Sequence, residues 1–190
     1  MKRNIFPVSI LLALIVMFFT SCHSGSAKTE DIVQTWMGKK IRFPDNVLCS
    51  ELGEIKPCKT NDYKKFRVLV YTDSVGCVSC KLRLDEWKRF IKELGEANSR
   101  DVDFVFYFNP RKTDNLTELF KREYFRIPVH IDVNDDINRI NKFPAQMEYQ
   151  CFLLDKDNKV MLVGNPTLST VIWDLYKKAL TGQMDVNLPR

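Results

Sequence analysis

Arg67-Val68-Leu69-Val70-Tyr71-Thr72-Asp73-Ser74-Val75-Gly76-Cys77-Val78-Ser79-Cys80-Lys81 joins an apolar, β-prone run to two cysteines separated by two residues. The run from Phe66 to Tyr71 reads as a strand, and Asp73 to Gly76 as a short polar turn. Leu84, Trp87, Ile91 and Leu94 then recur at spacings of three and four, which predicts one helix from Cys77 to about Leu94, closed by Gly95. A strand thus delivers a Cys-x-x-Cys pair to the first turn of a helix. Unpaired backbone N–H groups and the helix dipole there favour thiolate over thiol. Cys77 and Cys80 are therefore expected to be a redox pair. Cys77, nearer the helix start, is the attacking thiolate, and Cys80, one turn on, resolves the mixed disulfide.

The compartment follows from the N-terminus. Lys2 and Arg3 precede an apolar segment, Val8 to Phe19, and Phe19-Thr20-Ser21-Cys22 sets small residues before a cysteine. Residues 1–22 read as a secretion signal. Its end resembles a bacterial lipobox, which would make Cys22 the lipidated first residue of the mature chain. The same apolar stretch could instead serve as an uncleaved anchor or be cleaved without lipidation. In each case the rest lies outside the cytoplasm, where disulfides persist, and on the lipoprotein reading it is a periplasmic domain held at the inner or outer membrane. Removing Lys2 and Arg3 takes the formal charge from +5 to +3. With no dense basic run, that argues against nucleic acid as the main partner.

The 190 residues, 45% hydrophobic and 28% charged, suit one globular domain with appendages. Residues 23–35 are expected to be a flexible tether, 36–182 the domain and 183–190 a frayed tail. Ile32 to Gly38 suggests a short helix. Lys40 to Phe43 and Val47 to Ile55 suggest a hairpin. Val102 to Phe108 reads as a strand, Asn115 to Phe125 as a helix capped by Asp114, and Pro128 to Asp132 as a short strand. Asp135 to Lys142 is expected to be a helix capped by Asn134. A hairpin, Gln150–Leu154 with Lys159–Val163, and a helix, Leu168–Leu180, complete the pattern. Strands alternating with helices imply an α/β fold with a mixed central sheet flanked by helices.

With Cys22 allotted to lipid, five of the six cysteines remain. Cys49 and Cys58 read equally as a local disulfide and as two separate buried thiols. Cys151, flanked by Phe152 and Leu153, reads as a core thiol, with a third thiol near the redox pair as the rival. His130, between Val129 and Ile131, reads as a semi-buried histidine. Lys81 reads as a solvated helix residue, with lowering of the cysteine pair's pKa as the rival.

This order of elements resembles the thioredoxin superfamily, and more narrowly the membrane-tethered redoxins of the TlpA/ResA type, over roughly residues 40 to 180. Gly76-Cys77-Val78-Ser79-Cys80-Lys81 is similar to the family's Trp-Cys-Gly-Pro-Cys-Lys. Phe152-Leu153-Leu154-Asp155-Lys156-Asp157-Asn158-Lys159-Val160 with Gly164 is similar to its closing hairpin. Pro128 to Asp132 with the following helix is similar to its mid-chain strand–helix insert. The resemblance implies a thioredoxin-like fold with an N-terminal β-hairpin. It implies a thiol–disulfide oxidoreductase that needs no cofactor and no metal. Its partners would be periplasmic proteins with disulfides and an upstream thiol electron donor.

It further implies that Gly76, Tyr149 and Gln150 contact the substrate. Tyr149 stands where the family carries a cis-proline, and Val78-Ser79 replaces Gly-Pro. Those departures leave three rivals: a binding or structural lipoprotein with a non-catalytic disulfide, a carrier holding a soft metal between Cys77, Cys80 and His130, and a peroxidase.

Overall fold

The computed structural model describes residues 24–45, 48–58, 64–75, 78–110 and 116–183. Cys22, Gly76 and Cys77 lie outside the described residues, as do the cap expected at Asp114 and the tail beyond Gln183. The chain divides after Thr35 into two units. The first contributes nearly all of helix α1 (Ser24–Trp36), which starts within the segment read as a tether. Among the described residues no helix is long and apolar enough to cross a membrane.

The second unit is built on a seven-stranded sheet. In chain order its strands are β1 (Leu48–Glu51), β2 (Glu54–Pro57), β3 (Phe66–Thr72), β4 (Val102–Phe108), β5 (Val129–Ile131), β6 (Cys151–Leu154) and β7 (Val160–Val163). The spatial order is β2-β1-β5-β4-β3-β6-β7. β3, β4 and β5 run parallel, while the hairpin β1–β2 and the hairpin β6–β7 add antiparallel pairs at the two edges. The mixed sheet, the presence of an N-terminal edge hairpin and the mid-chain strand–helix insert match the sequence expectation, though the strands of that hairpin differ.

β3 and β4 are largely apolar because both faces of the sheet are covered, the exceptions Arg67 and Asp103 facing each other as an ion pair at 3.2 Å. On one face Val68, Val70, Phe106, Phe108, Cys151 and Leu153 pack beneath three helices. These are α3 (Leu84–Ser99), α4 (Leu116–Arg122) and α6 (Thr170–Leu180). Trp87 and Phe90 of α3 meet Phe106 and Trp173 edge-on, at ring-centroid separations of 5.4 and 4.7 Å. On the other face Phe152 packs against Trp36 and Phe143 at 5.0 and 5.2 Å. Helix α5 (Asp136–Asn141) is tied to β3 by Tyr71, whose hydroxyl donates to Asp135 at 2.7 Å. Burial, with Asp135 beside it, raises the Tyr71 hydroxyl far above its ordinary pKa.

Three local expectations are corrected. The N-terminal hairpin does not use Lys40 to Phe43. That segment runs extended beside the start of β7, with Ile41 donating to the Asn158 carbonyl at 2.8 Å and Lys40 bridging Lys159. The hairpin turns instead at Leu52-Gly53, whose φ values of 50° and 79° supply the two left-handed residues that a tight reversal needs.

The cysteine helix is also two helices: α2 (Val78–Leu82) and α3, parted at Arg83 with φ 44°. Leu82 and Leu84 are both buried, whereas two residues apart on a continuous helix they would face roughly opposite sides. The break lets both enter the core. Gly95, with φ 74°, interrupts α3 near the predicted end.

The cap of α5 is not Asn134. Asp132, only 4% exposed, reaches from the end of β5 and accepts from the backbone N–H groups of Asp136 and Ile137 at 2.9 and 2.8 Å.

Candidate functional site

Cys80 is exposed on α2, immediately after the loop that leaves β3. The strand sets this position: β3 pairs β4 on one side and β6 on the other, so its C-terminal end is fixed in the middle of the sheet. α2 spans only five residues, so its dipole is that of little more than one turn and favours a thiolate less than a long helix would.

A specific ion pair accompanies it. Lys81 Nζ donates to Asp73 Oδ1, both side chains being about a fifth exposed. The same oxygen accepts from the Val75 backbone N–H at 2.9 Å. Burial works against the Asp73 charge, but the Lys81 hydrogen bond, the Val75 N–H, the Lys81 charge and the Gln150 side chain together hold its carboxyl below the usual range. Lys81 is thus not the solvated residue expected, and most of its charge is matched by Asp73.

A cavity of about 480 Å³ opens beside Cys80. Cys80 and Arg83 form one wall, and Leu119, Arg122 and Glu123 on and just beyond α4 form the other. Arg83 Nε is buried with no hydrogen-bond partner among the described residues. The lining carries both signs of charge, which suits a polypeptide surface better than a single anion or cation.

Of the two other residues expected to contact substrate, Tyr149 ends a short 3₁₀ turn (Met147–Tyr149) and is half-buried. Gln150 is buried, and its amide donates to the Pro144 and Ala145 carbonyls at 2.9 and 3.4 Å. Its backbone carbonyl accepts from Tyr71 at 2.9 Å. Gln150 therefore locks the loop entering β6 against β3, the strand that leads to the cysteines.

A second sulfur centre lies at the far edge of the sheet. Cys49 and Cys58 form a disulfide with Cα atoms 4.9 Å apart, which resolves their two readings. His130 Nδ1 is 3.2 Å from Cys58 Sγ, and the imidazole stacks on Tyr107 at 4.4 Å and 11°. Burial pushes the His130 pKa down to about 4; Asp103 raises it and Arg67 lowers it. His130 is half-buried, as expected, and its ring nitrogen is engaged with Cys58. Sequence spacing hid this contact, because His130 lies 72 residues from Cys58 and meets it only when β1 pairs β5. Cys151 is a core thiol: it is fully buried, accepts from the Tyr176 hydroxyl at 3.6 Å, and is pushed by burial up to about 12.

No protein-family model matches the chain, and no curated protein sequence does. Solved structures do match it. One, assigned as a thiol-disulfide oxidoreductase from Bacteroides vulgatus, superposes with a TM-score of 0.54 at 14% identity, covering 76% of this chain and 93% of its own. A thiol:disulfide interchange protein from Bacteroides sp. gives 0.52 at 12% identity, over 80% and 94%. A PrxQ variant from Xylella fastidiosa gives 0.53 at 12% identity, over 77% and 96%. At such identities the likeness is one of fold, and it extends over about three-quarters of the chain. The chain has a thioredoxin-like fold.

Proposed function

We propose that the protein is a thiol–disulfide oxidoreductase that acts outside the cytoplasm, tethered to a membrane through lipid on Cys22. The observation that supports this best is the exposure of Cys80, the second cysteine of the Cys-x-x-Cys pair, beside an open cavity of mixed charge. On this reading Cys77 attacks a disulfide of a partner protein and forms a mixed disulfide with one of its sulfurs. The other partner sulfur leaves as a thiolate. Cys80 then attacks Cys77 Sγ and displaces the partner sulfur bonded to it as a second thiolate, so that the partner gains two electrons and Cys77–Cys80 becomes a disulfide. An upstream dithiol returns the pair to its reduced form. The cavity walls hold the partner backbone near the reacting sulfurs, and Gln150 keeps the loop before β6 in register with β3.

Two measurements on one preparation test the reading. Cys80→Ser is expected to trap mixed disulfides that run as reducible adducts and disappear in Cys77→Ser/Cys80→Ser. The Cys77–Cys80 couple is expected to equilibrate with glutathione. A potential below roughly −300 mV together with no trapped adduct would mean a structural disulfide, and the oxidoreductase reading would fall.

A further inference from the structure

Cys49, Cys58 and His130 bring two sulfurs and an imidazole nitrogen within 4.8 Å of one another, at the β2-β1-β5 end of the sheet. Strand pairing puts them there. Cys49 of β1 stands directly opposite His130 of β5 on one side and Lys56 of β2 on the other. Cys58 follows immediately after Pro57, the last paired residue of β2. The Tyr107 ring lies flat against the imidazole, fixing its plane, and Nδ1 faces Cys58 Sγ. Cys49 is buried and the other two are half-buried. As a disulfide the sulfurs carry no negative charge and are poor metal ligands. Reduced, they would be two thiolates beside a preoriented histidine, a donor set that selects thiophilic d¹⁰ cations.

We propose that the edge hairpin is a redox-gated metal site: two-electron reduction of Cys49–Cys58 exposes a Cys₂His centre for Zn(II) or Cu(I). The reductant is a dithiol. It transfers two electrons and two protons, becomes a disulfide itself, and leaves Cys49 and Cys58 as thiols. The cation then bonds to both sulfurs and to the lone pair of His130 Nδ1, and the two thiol protons pass to solvent. Metal–sulfur bonds of about 2.3 Å and metal–nitrogen bonds of about 2.0 Å separate such donors by roughly 3.5–4.0 Å. Nitrogen and Cys58 sulfur already stand at 3.2 Å, so the main adjustment is separation of the sulfurs. Cys58, beyond the end of the β1–β2 ladder, is placed to make it. Three donors complete a trigonal shell for Cu(I); zinc would add a water as its fourth ligand.

The test uses the full-length Cys77→Ser/Cys80→Ser chain, so that the helix cysteines contribute nothing. Oxidised and dithiol-reduced samples are titrated with Zn(II) and, in a separate arm, with Cu(I) against a competing chelator. The reduced protein is expected to bind one equivalent of at least one cation, and the oxidised protein none. Adding Cys58→Ser or His130→Gln is expected to weaken binding by at least about tenfold. A measurement without those substitutions guards against misfolding: the cation should protect Cys49 and Cys58 of the reduced parent from alkylation, read by peptide mass spectrometry. Absence of stoichiometric binding in both arms would overturn the proposal. So would binding that Cys58→Ser leaves unchanged, or binding without protection of these two cysteines.

Discussion

Lys81 donates a hydrogen bond to the carboxylate of Asp73, and so fastens the short helix that carries Cys80 to the loop leaving β3. The pair bears on the proposed redox chemistry because a thiolate is favoured by a nearby cation and disfavoured by a nearby anion. While Asp73 is ionised the two charges largely cancel. Asp73→Asn removes the anion, keeps a hydrogen-bond acceptor, and leaves the ammonium uncompensated. The reactive thiol of the reduced protein is then expected to titrate lower by up to about one pKa unit. The rate of alkylation by iodoacetamide against pH measures this. An unchanged or raised midpoint would mean that the Lys81 charge does not reach the sulfurs.

His130 gives the fold a pH dependence of known sign. Its pKa is about 4 in the folded protein against 6.5 for the free side chain. Between those values the unfolded chain binds the extra proton. Its contribution to stability is therefore complete above about pH 6.5, declines as pH falls, and is exhausted near pH 4. His130→Phe keeps a ring against Tyr107 but cannot titrate. Urea unfolding of the oxidised protein at pH 7 and pH 4.5 is expected to show wild type losing about 2–3 kcal/mol more than the variant across that interval. Equal losses would show that His130 is solvated in the folded state.

Much of this fold was legible in the sequence because its long parallel strands are mostly apolar and its helices carry clear spacing. Phe66 to Tyr71 and Val102 to Phe108 could be read without knowing their neighbours. What escaped depends on residues distant in sequence. The helix break at Arg83 follows from the core requiring both Leu82 and Leu84, which is a demand of packing and not of propensity. The hairpin was misplaced because Leu52, an unremarkable residue in isolation, takes a left-handed conformation ahead of Gly53. At the candidate site the cysteine pair was evident from spacing alone. The Asp73–Lys81 pairing and the approach of His130 to Cys58 were hidden, since each exists only after the chain has turned back on itself.

Asp132 illustrates the same point with a measurable cost. It is buried at the end of β5 and satisfies two N–H groups at the start of α5. Asp132→Ala leaves both donors without that acceptor, and the loss is expected to be about 1–3 kcal/mol. Because Asp135, next to this cap, holds the Tyr71 hydroxyl, hydrogen exchange should also quicken in α5. A loss below 0.5 kcal/mol, on the order of a surface substitution, would mean that water replaces the carboxylate.

Cys151 should be chemically silent. It is fully buried under Tyr176, and its thiol is pushed up to about 12, so almost no thiolate exists at neutral pH and none is within reach of a reagent. In the reduced native protein a thiol-specific reagent is expected to label Cys80 within minutes while Cys151 is labelled only after denaturation. Rapid native labelling of Cys151 would place it at the proposed redox site as a third thiol.

The turn at Gly53 tests how the edge hairpin is held against the domain. Its φ is 79°, and a Cβ built there would lie 2.5 Å from the Thr117 backbone oxygen and 2.8 Å from Lys121 Cγ. Gly53→Ala thus meets left-handed strain of about 1–2 kcal/mol and a clash with α4. Together these are expected to lower stability by roughly 2–3 kcal/mol, read as a lower urea midpoint at unchanged slope. The two contacts are separable. Lys121 is a flexible side chain that can swing aside, whereas the Thr117 carbonyl belongs to the helix backbone. Lys121→Ala should therefore recover little of the loss in the double variant. Full recovery would show that the side chain, and not the close approach of two backbones, fixes the distance between the hairpin turn and α4.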